Sequence, residues 1–170
     1  MRRLGLLIFG SILLLWAVTA QLNHALSGLG VHLFAGGLFV TFVALQFPTR
    51  GALLLSAAVG LLCDAATPVP LGTHLFLFAG AHALIAKFRQ RLPADHDTTQ
   101  LIVALAANAA LYLALTVILA TRQPLIAALW PRLLWDLILS ETYVALVGPW
   151  FFALQGRILE LDRFAPRGRL

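Results

Sequence analysis

Six apolar runs, each closed off by a short turn-forming stretch, decide what this chain can fold into. They cover residues 4–22, 31–47, 51–63 (a span over about 51–66 if the helix continues), 71–86, 101–120 and 133–154 of a 170-residue sequence. Runs longer than about 17 apolar residues belong in lipid and not in water. Composition agrees, because 61% of the residues are hydrophobic and only 11% are charged, where a soluble domain carries about 25%. Mean hydropathy is +0.90. Between the runs stand Ser27-Gly28-Leu29-Gly30, Pro48-Thr49-Arg50-Gly51, Pro68-Val69-Pro70, Pro93-Ala94-Asp95 and Arg122-Gln123-Pro124, the residues that break helices and start turns. No linker, low-complexity tract or repeat divides the chain. The expectation is an all-α membrane protein, a single integral domain of six transmembrane helices followed by a cytoplasmic tail over 156–170.

The basic residues set the orientation. With the N-terminus in the cytoplasm, Arg2, Arg3, Arg50, Lys87, Arg89, Arg91, Arg157, Arg163, Arg167 and Arg169 all fall inside, and only Arg122 and Arg132 fall outside. That asymmetry is the positive-inside pattern, and it requires an even number of spans with both termini in the cytoplasm. The net charge of +5 and the pI of about 10.7 therefore report topology, and a nucleic-acid partner is excluded. Cys63 is the one cysteine and has no intramolecular disulfide partner.

Two segments leave alternatives open. Arg2-Arg3, the apolar run and Val18-Thr19-Ala20 before Gln21 have the layout of a cleavable signal peptide, while the same run is long enough to stay as a first span. The third run is short. Its 13 residues from Gly51 to Cys63 rise only about 20 Å as helix, against a hydrocarbon core of about 30 Å. Either the helix continues to about Thr67 with Asp64 in its last turns, or the chain breaks inside the membrane.

Polar side chains inside spans are costly and need partners: an aspartate at a helix centre costs about 2.5–3.5 kcal/mol on insertion scales. Asp64 is one such residue. In the sixth run Pro131 stands at a helix start, and Arg132 and Asp136 follow four residues apart on one face, a spacing that allows an internal ion pair. Glu141 lies nine residues beyond Arg132, about 13 Å deeper. Asn108 is similarly deep in the fifth run, and His74 and His82 lie in the fourth. One reading makes Asp64, His74, Asn108 and Glu141 a polar pocket or proton path; the other makes them interhelical hydrogen bonds that hold the bundle. His74 and His82 are eight residues apart and no cluster has metal-ligand spacing. No nucleophile elbow, phosphate loop or metalloprotease motif is present. No catalytic residue, cofactor or metal site is expected.

Small residues at four-residue spacing, Ala52, Ser56 and Gly60 in the third run and Ala106, Ala110 and Ala114 in the fifth, allow helix backbones to approach closely, within the bundle or against a partner. Pro149 is placed to kink the last helix. Trp150, Phe151 and Phe152 come directly after it at the expected inner boundary, where aromatic rings anchor a span. The tail from Gly156 is expected to lie along the inner surface.

Three stretches carry a resemblance: Pro48-Thr49-Arg50; Gly60-Leu61-Leu62-Cys63-Asp64 followed by Leu71-Gly72 and an apolar helix; and Gly148-Pro149-Trp150-Phe151-Phe152 followed by Arg157. In this order, in a six-span chain of this size, they resemble the rod shape-determining protein MreD family. The resemblance implies a non-enzymatic protein of the bacterial inner membrane that works with MreC, a single-span periplasmic protein, and indirectly with the MreB cytoskeleton. It also implies a link to a SEDS-type glycosyltransferase and its penicillin-binding transpeptidase, which build lateral peptidoglycan. Site residues implied by the motifs are Gly60, Asp64, Leu71, Gly72 and Pro149. Arg132, Asp136 and Glu141 match no family motif and rest on the residue chemistry alone. The family is also similar in fold to the substrate-binding subunits of energy-coupling-factor vitamin transporters, which supplies the alternative of an outward-facing vitamin-capture subunit. Proton-coupled transport through Asp64 and Glu141 is a third reading. The short outer loops, 23–30, 64–70 and 121–132, suit a scaffold better than a lid over a captured vitamin.

Overall fold

The structure, a computed structural model, describes residues 2–47, 50–67, 69–91, 97–122 and 130–164. Six α-helices carry the fold: α1 Arg2–Leu26, α2 Gly36–Gln46, α3 Arg50–Ala66, α4 Thr73–Phe88, α5 Asp97–Arg122 and α6 Trp130–Phe164, with no strand among the described residues. Among these residues, Leu7–Leu29, Thr98–Thr121 and Trp130–Glu160 are long and apolar enough to cross a membrane. The other three helices are shorter. At 11 residues, α2 rises only about 16 Å, half of the roughly 30 Å core.

The shortness of α2 departs from the expected span over 31–47. Residues 31–35 are not helical, and the helix begins at Gly36. From there α2 is apolar on every side, and all residues from Gly36 to Leu45 are buried. A helix with no polar face has to sit inside other helices, and α2 packs against α3, α4, α5 and α6. It is the axis of the bundle. Ile8 and Ile12 of α1, Val59 of α3, Phe78 and Ile85 of α4, Leu111 of α5 and Val144 of α6 complete the core around it.

α3 and α4 are joined along their length. Ser56 in α3 meets His82 in α4, with Oγ 2.9 Å from Nδ1. The stripe Ala52, Ser56 and Gly60 is buried, so it serves internal packing. An added Cβ on Gly60 would stand 2.7 Å from the backbone of His74 and Leu75, which is why this position has none. In α5, by contrast, Ala106 and Ala110 are exposed and Ala114 is half-buried.

α1 packs on α6 through two polar links: Gln155 Nε2 donates to Ser11 Oγ at 2.5 Å, and Thr19 Oγ1 lies 3.0 Å from Tyr143 Oη. These pairs run α1 antiparallel to α6 and bring Arg2 and Phe164 to the same end of the bundle. α3 ends at Ala66 with Asp64 in its last turn, the first of the two alternatives for the third run. α6 runs past Gly156 to Phe164, with Ile158 and Leu159 packed on the core, so the first part of the expected 156–170 tail is helical. One expectation, for the aromatic run, is corrected. At the aromatic run, Trp150 is 80% exposed while Phe151 and Phe152 are buried, with Phe151 edge-on to Phe39 and Phe42 of α2. One ring faces outward as an anchor and two fill the core. Pro149 lies inside α6, exposed on its surface. The turn residues Pro48 and Thr49, Pro68, the 92–96 loop, 123–129 and the tail 165–170 lie outside the described residues.

Candidate functional site

Polar side chains concentrate at one end of the bundle, where α1 and α3 finish and α2, α4 and α6 begin. Asp64 organises the first group. Its Oδ2 accepts from the backbone N–H of Gly72 at 2.9 Å and of Leu75 at 3.3 Å, and its Oδ1 from the N–H of His74 at 2.8 Å. The His74 Nδ1–H donates to the same Oδ1 at 2.9 Å. The first N–H groups of any helix lack intrahelical acceptors, and a carboxylate there is favoured by the helix dipole. α4 has no side chain of its own for this, because its N-cap is Gly72 at φ +95°, a left-handed conformation that glycine adopts without strain. Asp64, eight residues earlier and 4% exposed, caps α4 from α3. Gly60, one turn before, lets the first turn of α4 come close enough to be capped. Gly60, Asp64 and Gly72 are thus one device. Leu71 takes no part in it and is 77% exposed.

The second group serves the non-helical stretch before α2. Arg132 Nη2 donates to Gly30 O at 2.6 Å, Asp136 Oδ1 accepts from His32 N–H at 3.2 Å, and Ser140 Oγ accepts from Phe34 N–H at 3.0 Å. Every second residue of the extended chain meets every fourth residue of α6. Two extended residues advance about 6.6 Å and four helical residues about 6 Å, so the two repeats stay in step. From the other side Asn23 clamps Leu33, donating to its carbonyl at 2.9 Å and accepting its N–H at 2.7 Å. Deepest is Asn108, which accepts from Gly37 N–H at 3.1 Å, and donates to Phe34 O at 3.1 Å and Glu141 Oε1 at 3.0 Å. Buried backbone outside a helix needs other hydrogen-bond partners, and these side chains supply them.

The expected ion pair between Arg132 and Asp136 is corrected by this arrangement. Among the described residues the one ion-pair contact is His74–Asp64; Arg132 and Asp136 are each turned to a different backbone group of the extended stretch. Of the two readings of Asp64, His74, Asn108 and Glu141, the single shared pocket is not what the hydrogen bonds support. Asp64 with His74 forms one cluster and Asn108 with Glu141 another. A cavity of about 690 Å³ lies at this end of the bundle, lined by α1, the 32–36 stretch, α3, α4, α5 and α6. Of the four residues only His74 lines it. Phe34 stacks in its wall, with ring centroids 6.3 Å from His74, 6.4 Å from Phe78 and 6.3 Å from Tyr112. No group of three or more metal-ligating side chains occurs among the described residues.

The family model for the rod shape-determining protein MreD matches residues 1–158, which is nearly the whole chain and includes every residue of both polar groups. The chain belongs to the MreD family. It is a rod shape-determining membrane protein of the rod-shape complex, in a family of structural proteins and not of known enzymes. No curated protein and no solved structure matches the chain.

In this MreD-family chain the motif residues divide by what they touch. Gly60, Asp64 and Gly72 meet at the α3–α4 corner; Leu71 and Pro149 face outward; Gly148 packs on Leu101 and Leu38, where an added Cβ would stand 2.7 Å and 3.3 Å from their methyl carbons. Sequence reasoning missed Asn23, Ser140 and Gly37. Ser140 had a signal, since it continues the four-residue spacing of Arg132 and Asp136. Gly37 and Asn23 had none, because their partners are ten or more positions away or lie on an irregular stretch.

Proposed function

We propose that this MreD-family chain is a multi-pass scaffold of the bacterial inner membrane that binds the membrane helix of MreC. Through MreC it supports MreB, a SEDS-type glycosyltransferase and a penicillin-binding transpeptidase in lateral peptidoglycan synthesis. On this reading all six helices lie in the bilayer as one domain, N-terminus and C-terminus in the cytoplasm, in an arrangement similar to energy-coupling-factor substrate-binding subunits. The charge asymmetry of the loops supports the orientation. The paired packing of α1 on α6 supports retention of the first span, which cleavage after a signal peptide would remove. Short α2, α3 and α4 are accommodated by local thinning of the bilayer and by the longer helices around them.

The observation that carries the reading is the Asp64 brace. Four hydrogen bonds to one buried carboxylate fix α3 and α4 as a rigid corner, and rigid helix surfaces are what a partner helix needs in lipid. Gly60, Leu71 and Gly72 are assigned to this platform, with Leu71 as an exposed contact; Pro149, on the outer surface of α6, is proposed as a separate partner contact. Arg132, Asp136 and Glu141 position the stretch before α2. MreD membership gives no support to vitamin capture. The test is co-purification of MreC with the Asp64→Ala chain at equal expression. Complex yield falls several-fold for Asp64→Ala and less for Asp64→Asn, which keeps one acceptor oxygen. Unchanged yield for Asp64→Ala contradicts the role given to Asp64.

A further inference from the structure

The cavity holds charged groups that the protein itself leaves unneutralised. Asp136 is 5% exposed, and one carboxylate oxygen takes the His32 N–H while the other has no partner among the described residues. Arg132, one turn away, spends one nitrogen on Gly30 O and has no carboxylate within ion-pair distance among them. Both line the cavity. His74 lines it as well, 3% exposed, and its Nε2 has no partner among the described residues because Nδ1 is the atom that meets Asp64. Below these groups the walls are apolar and aromatic, with Trp16, Phe34, Phe39 and Phe78. Arg132 and Asp136 are each bonded to backbone but to no opposite charge among the described residues. Ionisable side chains that face a cavity in this way are candidates for a binding role, and the volume falls within the range of about 300–1,000 Å³ of ligand sites.

We propose that this cavity binds a zwitterionic amphiphile, its acidic phosphate on Arg132, its amine on Asp136, and the start of its hydrocarbon against the aromatic wall. A cation and a carboxylate one helical turn apart that do not pair with each other present a complementary pair of charges. An anionic lipid satisfies Arg132 and is repelled by Asp136; a cationic one does the reverse. Arginine suits phosphate through its planar set of donors. The shared chemistry belongs to a phosphoethanolamine-type lipid headgroup and equally to a soluble zwitterion of that kind. The hydrocarbon-lined floor assigns the lipid. The two groups that set the lipid preference, Arg132 and Asp136, lie on α6 and take no part in the Asp64 brace, whereas His74 and Ala66 belong both to the cavity wall and to the α3–α4 corner. The Asp136→Asn ratio is therefore the readout that separates this proposal from the partner reading.

The experiment is native mass spectrometry of the full chain reconstituted in equal parts phosphatidylethanolamine and phosphatidylglycerol. The wild type retains the ethanolamine lipid over the glycerol lipid by about tenfold, the ratio that about 1.4 kcal/mol gives. Asp136→Asn keeps an oxygen for the His32 N–H and brings the ratio to parity. Ala20→Trp and Ala66→Trp, two exposed cavity-lining positions, each lower retention of both lipids. Parity in the wild type, an unchanged ratio in Asp136→Asn, or unaffected retention in both tryptophan variants overturns the proposal. Displacement by glycerophosphoethanolamine at equal concentration overturns the assignment to a lipid and gives the cavity to a soluble zwitterion.

Discussion

At the scale of single residues, two glycines of similar sequence context have opposite surroundings. A Cβ on Gly37 would collide with the backbone and side chain of Asn108 and with Ala104 O, whereas one on Gly80 would meet nothing within 4 Å. Gly37→Ala is therefore expected to destabilise by about 1–3 kcal/mol through overpacking against backbone that has no room to move. Gly80→Ala is expected to be neutral or slightly stabilising, within about 0.5 kcal/mol, as helix propensity favours alanine. Thermal unfolding in detergent, with both variants beside the wild type, checks the pair. Equal midpoints for the two variants contradict the close α2–α5 approach. From sequence both positions read as small residues in apolar runs. Only the contact across 71 positions between Gly37 and Asn108 separates them, and a one-dimensional pattern does not carry it.

At the scale of elements, the stretch from Gly30 to Gly37 explains a group of polar residues that would otherwise be costly in or beside the apolar runs. Asn23, Asn108, Arg132, Asp136 and Ser140 each bond to its backbone, and Glu141 holds Asn108. Of the two readings weighed for such residues, interhelical glue describes them better than a proton path, with the refinement that the glue holds an unwound segment and not only helix to helix. Asn108→Leu leaves the Gly37 N–H and Phe34 carbonyl unpaired in an apolar interior, at about 1–3 kcal/mol per group. Amide exchange at Gly37, whose N–H Asn108 accepts, is expected to accelerate by about tenfold or more, about 1.4 kcal/mol being a factor of ten. An unchanged exchange rate at Gly37 contradicts the ladder. The existence and order of the six helices are readable from the runs. The start of α2 is not, because Val31 to Ala35 are mostly apolar and nothing local says that hydrogen bonds from α1, α5 and α6 replace those of a helix. The end of α6 is hidden for a related reason: Gly156 reads as a stop, while the packing of Ile158 and Leu159 on the core overrides it.

At the scale of the whole molecule, a buried, featureless α2 is surrounded by helices whose polar groups face one end, and a family match over 1–158 assigns the assembly to rod-shape determination. The candidate site is half legible in the sequence. Gly60, Asp64 and Gly72 stand out as a motif, and their distances show why: a glycine for approach, a carboxylate for four bonds and a left-handed glycine that leaves the α4 terminus open to it. The cavity is not legible, since its lining comes from six separate segments. If the protein is a scaffold built on this frame, its function lies in what it holds. Affinity purification of the full chain from membranes in mild detergent, with mass-spectrometric identification of what accompanies it, tests that most directly. The account predicts MreC in amounts comparable to the bait; recovery of a paired transport ATPase in its place, with MreC missing, would contradict it.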